Sequence, residues 1–246
     1  SQLVAVWETL QIEAPLLVVL CGSAVRTMRE LDDAQAPLYG RVDWKHQLEP
    51  FDYWYTGRMA PFDDPRDLAR TYGALGGTPD YLARLESRQT FAENIARTAL
   101  SPNGHVRHVV ESVIEQERGL RNIAQYRSIL TAIAHGRTEL SEIADVTGMK
   151  KDTPLRRKVG RLEDLGFIEG RRNFDAARTA PYRYRLRDPA LIFQYAVVDQ
   201  LRNELETTEP MSIWEQLVVP RLRTHMGLVF ETIVRQAYHR LREARG

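Results

Sequence analysis

Apolar positions Leu3, Val6, Trp7 and Leu10 fall three and four residues apart, the spacing of a helix that buries one face. Pro15 interrupts this pattern. Residues 16–23, LLVVLCGS, follow as a continuous apolar run closed by Gly-Ser, which predicts a strand buried on both faces of a parallel sheet. A helix is expected over 24–31, and then Val42, Trp44, His46 and Leu48 alternate as strand positions do. Helix, strand, helix, strand is an α/β order. After Pro79 the pattern changes to short amphipathic helices at 80–87, 90–100 and 105–117, separated by breaks such as Ser-Pro-Asn-Gly at 101–104.

From residue 125 the pattern predicts a trio of helices. The first buries Ile129, Leu130 and Ile133 and ends at Gly136. The second, capped by Thr138, buries Leu140, Ile143, Ala144 and Val146 and ends at Gly148. The third is capped by Asp152 or Thr153, carries Pro154 in its first turn, and buries Leu155, Val159, Leu162 and Leu165. Two helices joined by a glycine-containing turn, the second of them basic, read as a helix-turn-helix. The strands expected at 166–172 and 181–188 add a hairpin, the wing of a winged helix-turn-helix. Two long amphipathic helices follow Pro189. The fold class read from the pattern is mixed α/β, mostly helical.

A length of 246 residues suits two or three small units, and 43% hydrophobic with 27% charged residues describes a chain that folds rather than one that stays disordered. The net charge of +1 means that any attraction to phosphate must come from local clustering. Cys21, the single cysteine, cannot form an intramolecular disulfide. The longest apolar run, residues 14–22, is too short to span a bilayer, and the first residues lack the basic flank of a secretion signal. A cytoplasmic protein without a membrane partner is expected.

Charge clusters between residues 150 and 172, which hold three of the four lysines. With Leu155, Val159 and Leu162 inward, the helical phase turns Arg156, Arg157, Lys158 and Arg161 outward, Lys150 and Lys151 precede the helix, and Arg171, Arg172, Arg178 and Arg183 extend the basic surface into the wing. This surface predicts contact with double-stranded DNA through Lys150, Lys151, Arg156, Arg157, Arg161, Arg171 and Arg172. The other reading is an adaptor, with Glu163, Asp164 and Glu169 neutralising part of the patch. His105 and His108 share a helix face without a third ligand nearby, so no metal site is expected. Asp32-Asp33 and Asp63-Asp64 stand beside turn residues, where acids cap helices more often than they catalyse.

The motifs LLVVLCGSAVRTM, APLYGR, LEPF and YGALGGTPDYL, in this order and spacing, resemble the latter half of the ATPase module of the archaeal-type ATPase family, P-loop proteins of the AAA+ and STAND kind. The resemblance implies a sensor-1 position at Cys21 to Ser23 and a helical lid whose Gly76, Gly77, Thr78 and Pro79 lie near the nucleotide. It assigns Ser23, Gly77, Thr78 and Pro79 to nucleotide binding. The local alternative for Gly-Gly-Thr-Pro is a capping turn between two helices. A winged helix-turn-helix is a common companion of such ATPases, and many members continue into a nuclease-like domain, for which the Gly227 to Glu231 stretch resembles the start. The implied units are 1–58, the last part of the ATPase core; 59–120, the lid; 121–188, the winged domain; and 189–246, the helical start of the nuclease-like domain.

The departure from the family is large. A Walker A loop needs Gly-Lys, and no such dipeptide occurs; an apolar strand ending in paired acids is also absent from the sequence. ATP and Mg belong to the complete family protein, and the missing strands are expected upstream of Ser1 or in another subunit, with the chain cut at both ends. The reading is therefore the C-terminal portion of an ATP-binding ATPase that couples nucleotide state to a winged DNA-binding domain. The alternative is a DNA-binding transcriptional regulator or a protein-interaction adaptor without ATPase activity.

Overall fold

The computed structural model describes residues 5, 6, 9, 17–22, 28, 30, 31, 35, 36, 38–117, 120–172, 175, 177 and 180–244. The chain divides into two units, one of Ser1–Glu49 with Glu115–Leu120 and one of Pro50–Ile114 with Arg121–Gly246.

In the first unit the expected strands do not form. Residues 17–22 and 44–50 have no regular secondary structure, and Leu17, Val19, Trp44 and Leu48 are among the most exposed apolar side chains. A strand is held by ladder hydrogen bonds to a neighbour, and apolar composition alone does not supply one. Among the described residues only β1 and β2, defined below, pair as strands. Most of the helices expected over 1–12 and 24–31 lies outside the described residues, as does Ser23.

In the second unit, local caps set the helix starts. Asp52 accepts hydrogen bonds from the amides of Trp54 and Tyr55 and opens α1, Tyr53–Met59. The boundary expected at residue 58 therefore falls inside a helix. Asp64 accepts from the Arg66 amide, and Pro65 occupies the first turn of α2, Pro65–Leu75. After a turn come α3, Pro79–Leu82; α4, Phe91–Ile95, begun by a reciprocal Thr90–Glu93 capping box and prolonged by a π turn over Ala96–Leu100; and α5, His105–Ser112. The helix expected over 80–87 is thus shorter than its pattern.

Three helices follow, α6 (Ile123–Ala134), α7 (Leu140–Thr147) and α8 (Thr153–Asp164), then an antiparallel hairpin of β1 (Ile168–Arg171) and β2 (Arg183–Leu186) in the register Ile168 to Leu186 and Arg171 to Arg183. Asp188 accepts from the Ala190 amide at 2.9 Å and opens α9, Pro189–Phe193, which runs on through π and 3-10 turns to Leu201. The remainder is α10 (Arg202–Thr207), α11 (Pro210–Ile213) with a π turn over Trp214–Val218, and α12 (Val219–Glu243). The fold is mostly helical with one small sheet. Among the described residues no helix is long and apolar enough to cross a membrane.

The long-range core joins the two sequence ends of this unit. Helix α12 buries Leu222, His225, Val229 and Ile233, and Val229 and Ile233 pack on Tyr72 of α2. The two helices cross at Gly73, where an added Cβ would stand 2.5 Å from Met226 Sδ; glycine allows that approach. Polar contacts continue the seam. Gln236 accepts from the Tyr53 amide at 3.1 Å and donates to the Tyr72 hydroxyl at 2.8 Å, while Arg240 donates from Nε to Asp52 at 2.7 Å.

Candidate nucleic-acid interface

Helices α6 to α8 and the hairpin form the region that the sequence marked as basic. Ile129, Leu130 and Ile133 of α6, Ile143 and Ala144 of α7, and Leu155, Val159, Leu162 and Leu165 on or just after α8 are buried as their spacing predicts. Gly136 and Gly148 hold φ of 82° and 68° after α6 and α7, a left-handed conformation that glycine adopts without strain. Leu140 is half-buried, and two further details differ from the pattern. Thr138 is not the cap of α7: the capping position is Glu139, and Glu142 turns back to accept from the amides of Thr138 and Glu139 at 2.8 and 2.9 Å, which lowers its pKa. Val146 is exposed rather than inward, on a cleft of about 530 Å³ that also includes Arg127, His135 and Arg137.

The hairpin is fastened to the helices by backbone. Tyr184 N donates to Thr138 O at 2.7 Å, and Glu163 of α8 accepts from the Gly170 amide at 2.9 Å. This fixes the hairpin beside α8.

The cations then sort into two groups. Lys150, Lys151, Arg156 and Arg157 are exposed at the amino-terminal half of α8 and before it. None of the four makes a side-chain hydrogen bond or ion pair among the described residues. Lys158 and Arg161 do not join them. Lys158 is half-buried with Nζ 4.5 Å from the centre of the Tyr126 ring, and burial followed by the nearby Arg157 charge lowers its pKa. Arg161 is also half-buried, and its Nη2 is enclosed without a hydrogen-bond partner. Both border the buried stripe: position 158 lies three after Leu155 and four before Leu162, and 161 lies four before Leu165. The outward orientation expected for Arg161 is therefore corrected by the packing.

The hairpin arginines are spoken for locally. Arg171 pairs with Glu169 at 2.8 Å, Arg185 also pairs with Glu169, and Arg183 reaches Glu139 at 3.4 Å. Arg172 donates to Ala180 O at 3.0 Å and lies 4.3 Å from the Tyr182 ring centre. Arg178 lies outside the described residues. Among the described residues the free charge of this face is thus concentrated on four side chains, and two of the acids expected to neutralise the patch, Glu163 and Glu169, act on the hairpin instead.

The Gly-Gly-Thr-Pro turn has a different environment from an open ligand loop. Gly76, with φ of 62°, ends α2, and its missing Cβ would lie 2.3 Å from Asp188 Oδ1. Gly77 faces the Phe51 backbone, whose carbonyl oxygen is 1.8 Å from the position of a Cβ, and its own oxygen accepts from the Phe51 amide at 2.8 Å. Pro79 begins α3, and Thr78 holds the capping position without a side-chain cap bond. The space beside both glycines is filled by protein atoms. Gly77, Thr78 and Pro79 share this turn, and Ser23 lies outside the described residues.

Among the described residues no group of three His, Cys, Asp or Glu side chains is arranged to hold a metal ion. His105 instead meets Asp80, Nε2 to Oδ2 at 2.5 Å, a bond that lowers the Asp80 pKa ahead of the contribution from Arg84. Glu231 is exposed and pairs with Arg235 one turn on.

No family model matches the sequence. The chain is 23% identical over 221 residues to the uncharacterised protein MJECL04 of Methanocaldococcus jannaschii, an alignment covering 89% of this chain and 48% of that protein. Among solved structures, the Walker-type ATPase PABY2304 of Pyrococcus abyssi aligns with a TM-score of 0.46 and 22% identity over 68% of this chain and 48% of that one. The chain spans about half the length of each.

Proposed function

We propose that residues 123–186 act as a winged helix-turn-helix that lays the amino-terminal half of α8 on duplex DNA, within a portion of a protein related to archaeal-type P-loop ATPases. The observation that carries the DNA reading is the group of four exposed cations, Lys150, Lys151, Arg156 and Arg157, which make no side-chain ion pair or hydrogen bond among the described residues while their hairpin neighbours do. Unpaired surface cations release phosphate counterions on binding without first giving up a protein partner. The resemblance of the four N-terminal motifs supports the ATPase relation, with ATP and Mg as ligands of the complete protein.

A route for coupling also follows from this reading. Gly76 closes α2 against Asp188, and Asp188 leads from β2 into α9. A nucleotide-driven shift of the lid helix α2 would be felt where the winged segment ends. The Gly76–Pro79 turn then serves as a joint, with nucleotide contact coming from other parts of the complete protein.

The test is a fluorescence-anisotropy titration of the whole chain with a duplex oligonucleotide across a salt series. Wild type should bind with a salt slope of about −0.9 per phosphate contacted, and joint replacement of Lys150, Lys151, Arg156 and Arg157 by alanine should weaken binding and reduce that slope by roughly three to four units while the melting curve stays in place. Arg171→Ala should change little. No binding by wild type at low salt, or an unchanged slope in the fourfold variant, would favour the adaptor reading, in which the same cations meet an acidic protein surface.

A further inference from the structure

Helix α12 carries two apolar stripes where a helix packed on one core needs one. Leu222, His225, Val229 and Ile233 form the inner stripe and are buried. Phe230, Val234, Tyr238 and Leu241 form another, and they are 59%, 50%, 63% and 60% exposed. Together with Gly227 and Ala237 the outer row follows the spacing 227, 230, 234, 237/238, 241, the alternation of threes and fours found where helices pair lengthwise. Gly227 meets nothing within 4 Å of an added Cβ, so this row is open at its start. Trp54 and Tyr55 of α1, each about half exposed, lie beside Arg240 at the edge of the inner seam, with ring centres 5.9 and 4.6 Å from its guanidinium.

We propose that the outer stripe of α12 is a self-association surface, on which a second copy of this chain docks with its own α12 antiparallel, about a two-fold axis close to residue 236. A two-fold axis makes every contact occur twice with the roles exchanged, so the surface must complement itself. It does so in this register. Phe230 meets Leu241 and Val234 meets Tyr238, an aromatic against an aliphatic side chain at every layer.

Charge favours a second copy over a helix of another kind. Glu231 and Arg242 border the stripe near its opposite ends. The antiparallel register sets Glu231 of each copy beside Arg242 of the other, whereas a parallel pair would set Arg242 against Arg242. A partner of a single sign would meet repulsion at one end of the stripe. Glu231 pairs with Arg235 on its own helix and Arg240 is held by Asp52, so among the described residues Arg242 is the end cation that a second copy would add to the Glu231 pair. Four half-exposed side chains on one helix face are a small surface beside the roughly 800 Å² per partner of stable complexes, which points to a reversible dimer rather than an obligate one.

Sedimentation equilibrium of the chain, from micromolar to near-millimolar concentration, tests this. Wild type should pass from monomer to dimer, and Val234→Lys should weaken association by at least about tenfold with an unchanged circular dichroism spectrum, since Val234 lies off the inner core. Glu231→Arg and Arg242→Glu should each weaken it, and the two together should restore it. A wild type that stays monomeric throughout, or a dimer indifferent to Val234→Lys, overturns the proposal. A dimer that Val234→Lys breaks but the charge exchange does not restore overturns the antiparallel register.

Discussion

Replacing Asp188 with asparagine should stabilise the protein at alkaline pH and leave it unchanged in acid. The carboxylate opens α9, accepts from the Ala190 amide, and stands against the closed turn at Gly76. Burial raises its pKa from the ordinary 3.8 to about 6, and the Ala190 bond offsets only part of that. A folded pKa above the unfolded one means that the native state holds its proton more tightly. The penalty is therefore absent below about pH 4, grows between pH 4 and 6, and is complete above pH 6. A rise of this size corresponds to about 3 kcal/mol at most. Asparagine keeps an oxygen for the Ala190 amide, and the two residues cap helices about equally well, so the substitution removes the charge and retains the cap. Urea unfolding of both proteins at pH 4, 6 and 8 should show the variant more stable by roughly 1–3 kcal/mol at pH 8, by less at pH 6, and by about zero at pH 4. Taking the difference between variant and wild type cancels the acids of lowered pKa, such as Glu142 and Glu209, whose contributions run the opposite way. A difference that is flat with pH, or a variant less stable at pH 8 than at pH 4 relative to wild type, would refute the reasoning.

Two glycines of different surroundings should respond in opposite directions to alanine. Gly77→Ala drives a Cβ into the Phe51 backbone and should cost about 3 kcal/mol or more, whereas Gly160→Ala on α8, with nothing within 4 Å, should gain about 0.5–1 kcal/mol from helix propensity; thermal melting of the two variants reads the difference. His225 is buried with Nε2 2.7 Å from Gly73 O, and burial lowers its pKa, so its native state resists protonation and stability should fall as the pH drops through 6.5 and below. His225→Gln should flatten that fall in a denaturation series from pH 7 to 5, and an equally steep loss in the variant would mean that another group is responsible.

The parts of the fold legible in the sequence are those decided within a few residues. The cap at Asp64, the capping position of Asp152 (whose side chain makes no cap bond), the glycines after α6 and α7, and the stripe Leu155, Val159, Leu162 follow from local backbone needs and helical period. Gly-Gly-Thr-Pro was legible as a capping turn, but that Phe51 and Asp188 fill its open sides depends on residues 26 and 112 positions away. The apolar run at 17–22 shows the limit clearly: its composition suits a strand, and a strand exists only where another backbone pairs with it. Of the candidate cations, helical phase turned all four of the helix outward; Arg156 and Arg157 are exposed, but Lys158 and Arg161 border the core, where Tyr126 and neighbouring packing decide the outcome. The hairpin pairs with Glu139 and Glu169 needed the strand register before they could be seen.

The seam between α2 and α12 bears on how the chain reaches its native state. His225 to Gly73 closes a span of 152 residues, Gln236 to Tyr72 one of 164, and Arg240 to Asp52 one of 188. During synthesis α1 and α2 leave the ribosome long before their partner helix exists, and the loop entropy of these closures is met only when residues 225–240 arrive. Meanwhile Tyr72, which packs on Val229 and Ile233 in the native fold, waits with its apolar surface uncovered. A ribosome-bound nascent chain stopped before residue 225 is the species most open to chaperones and to aggregation.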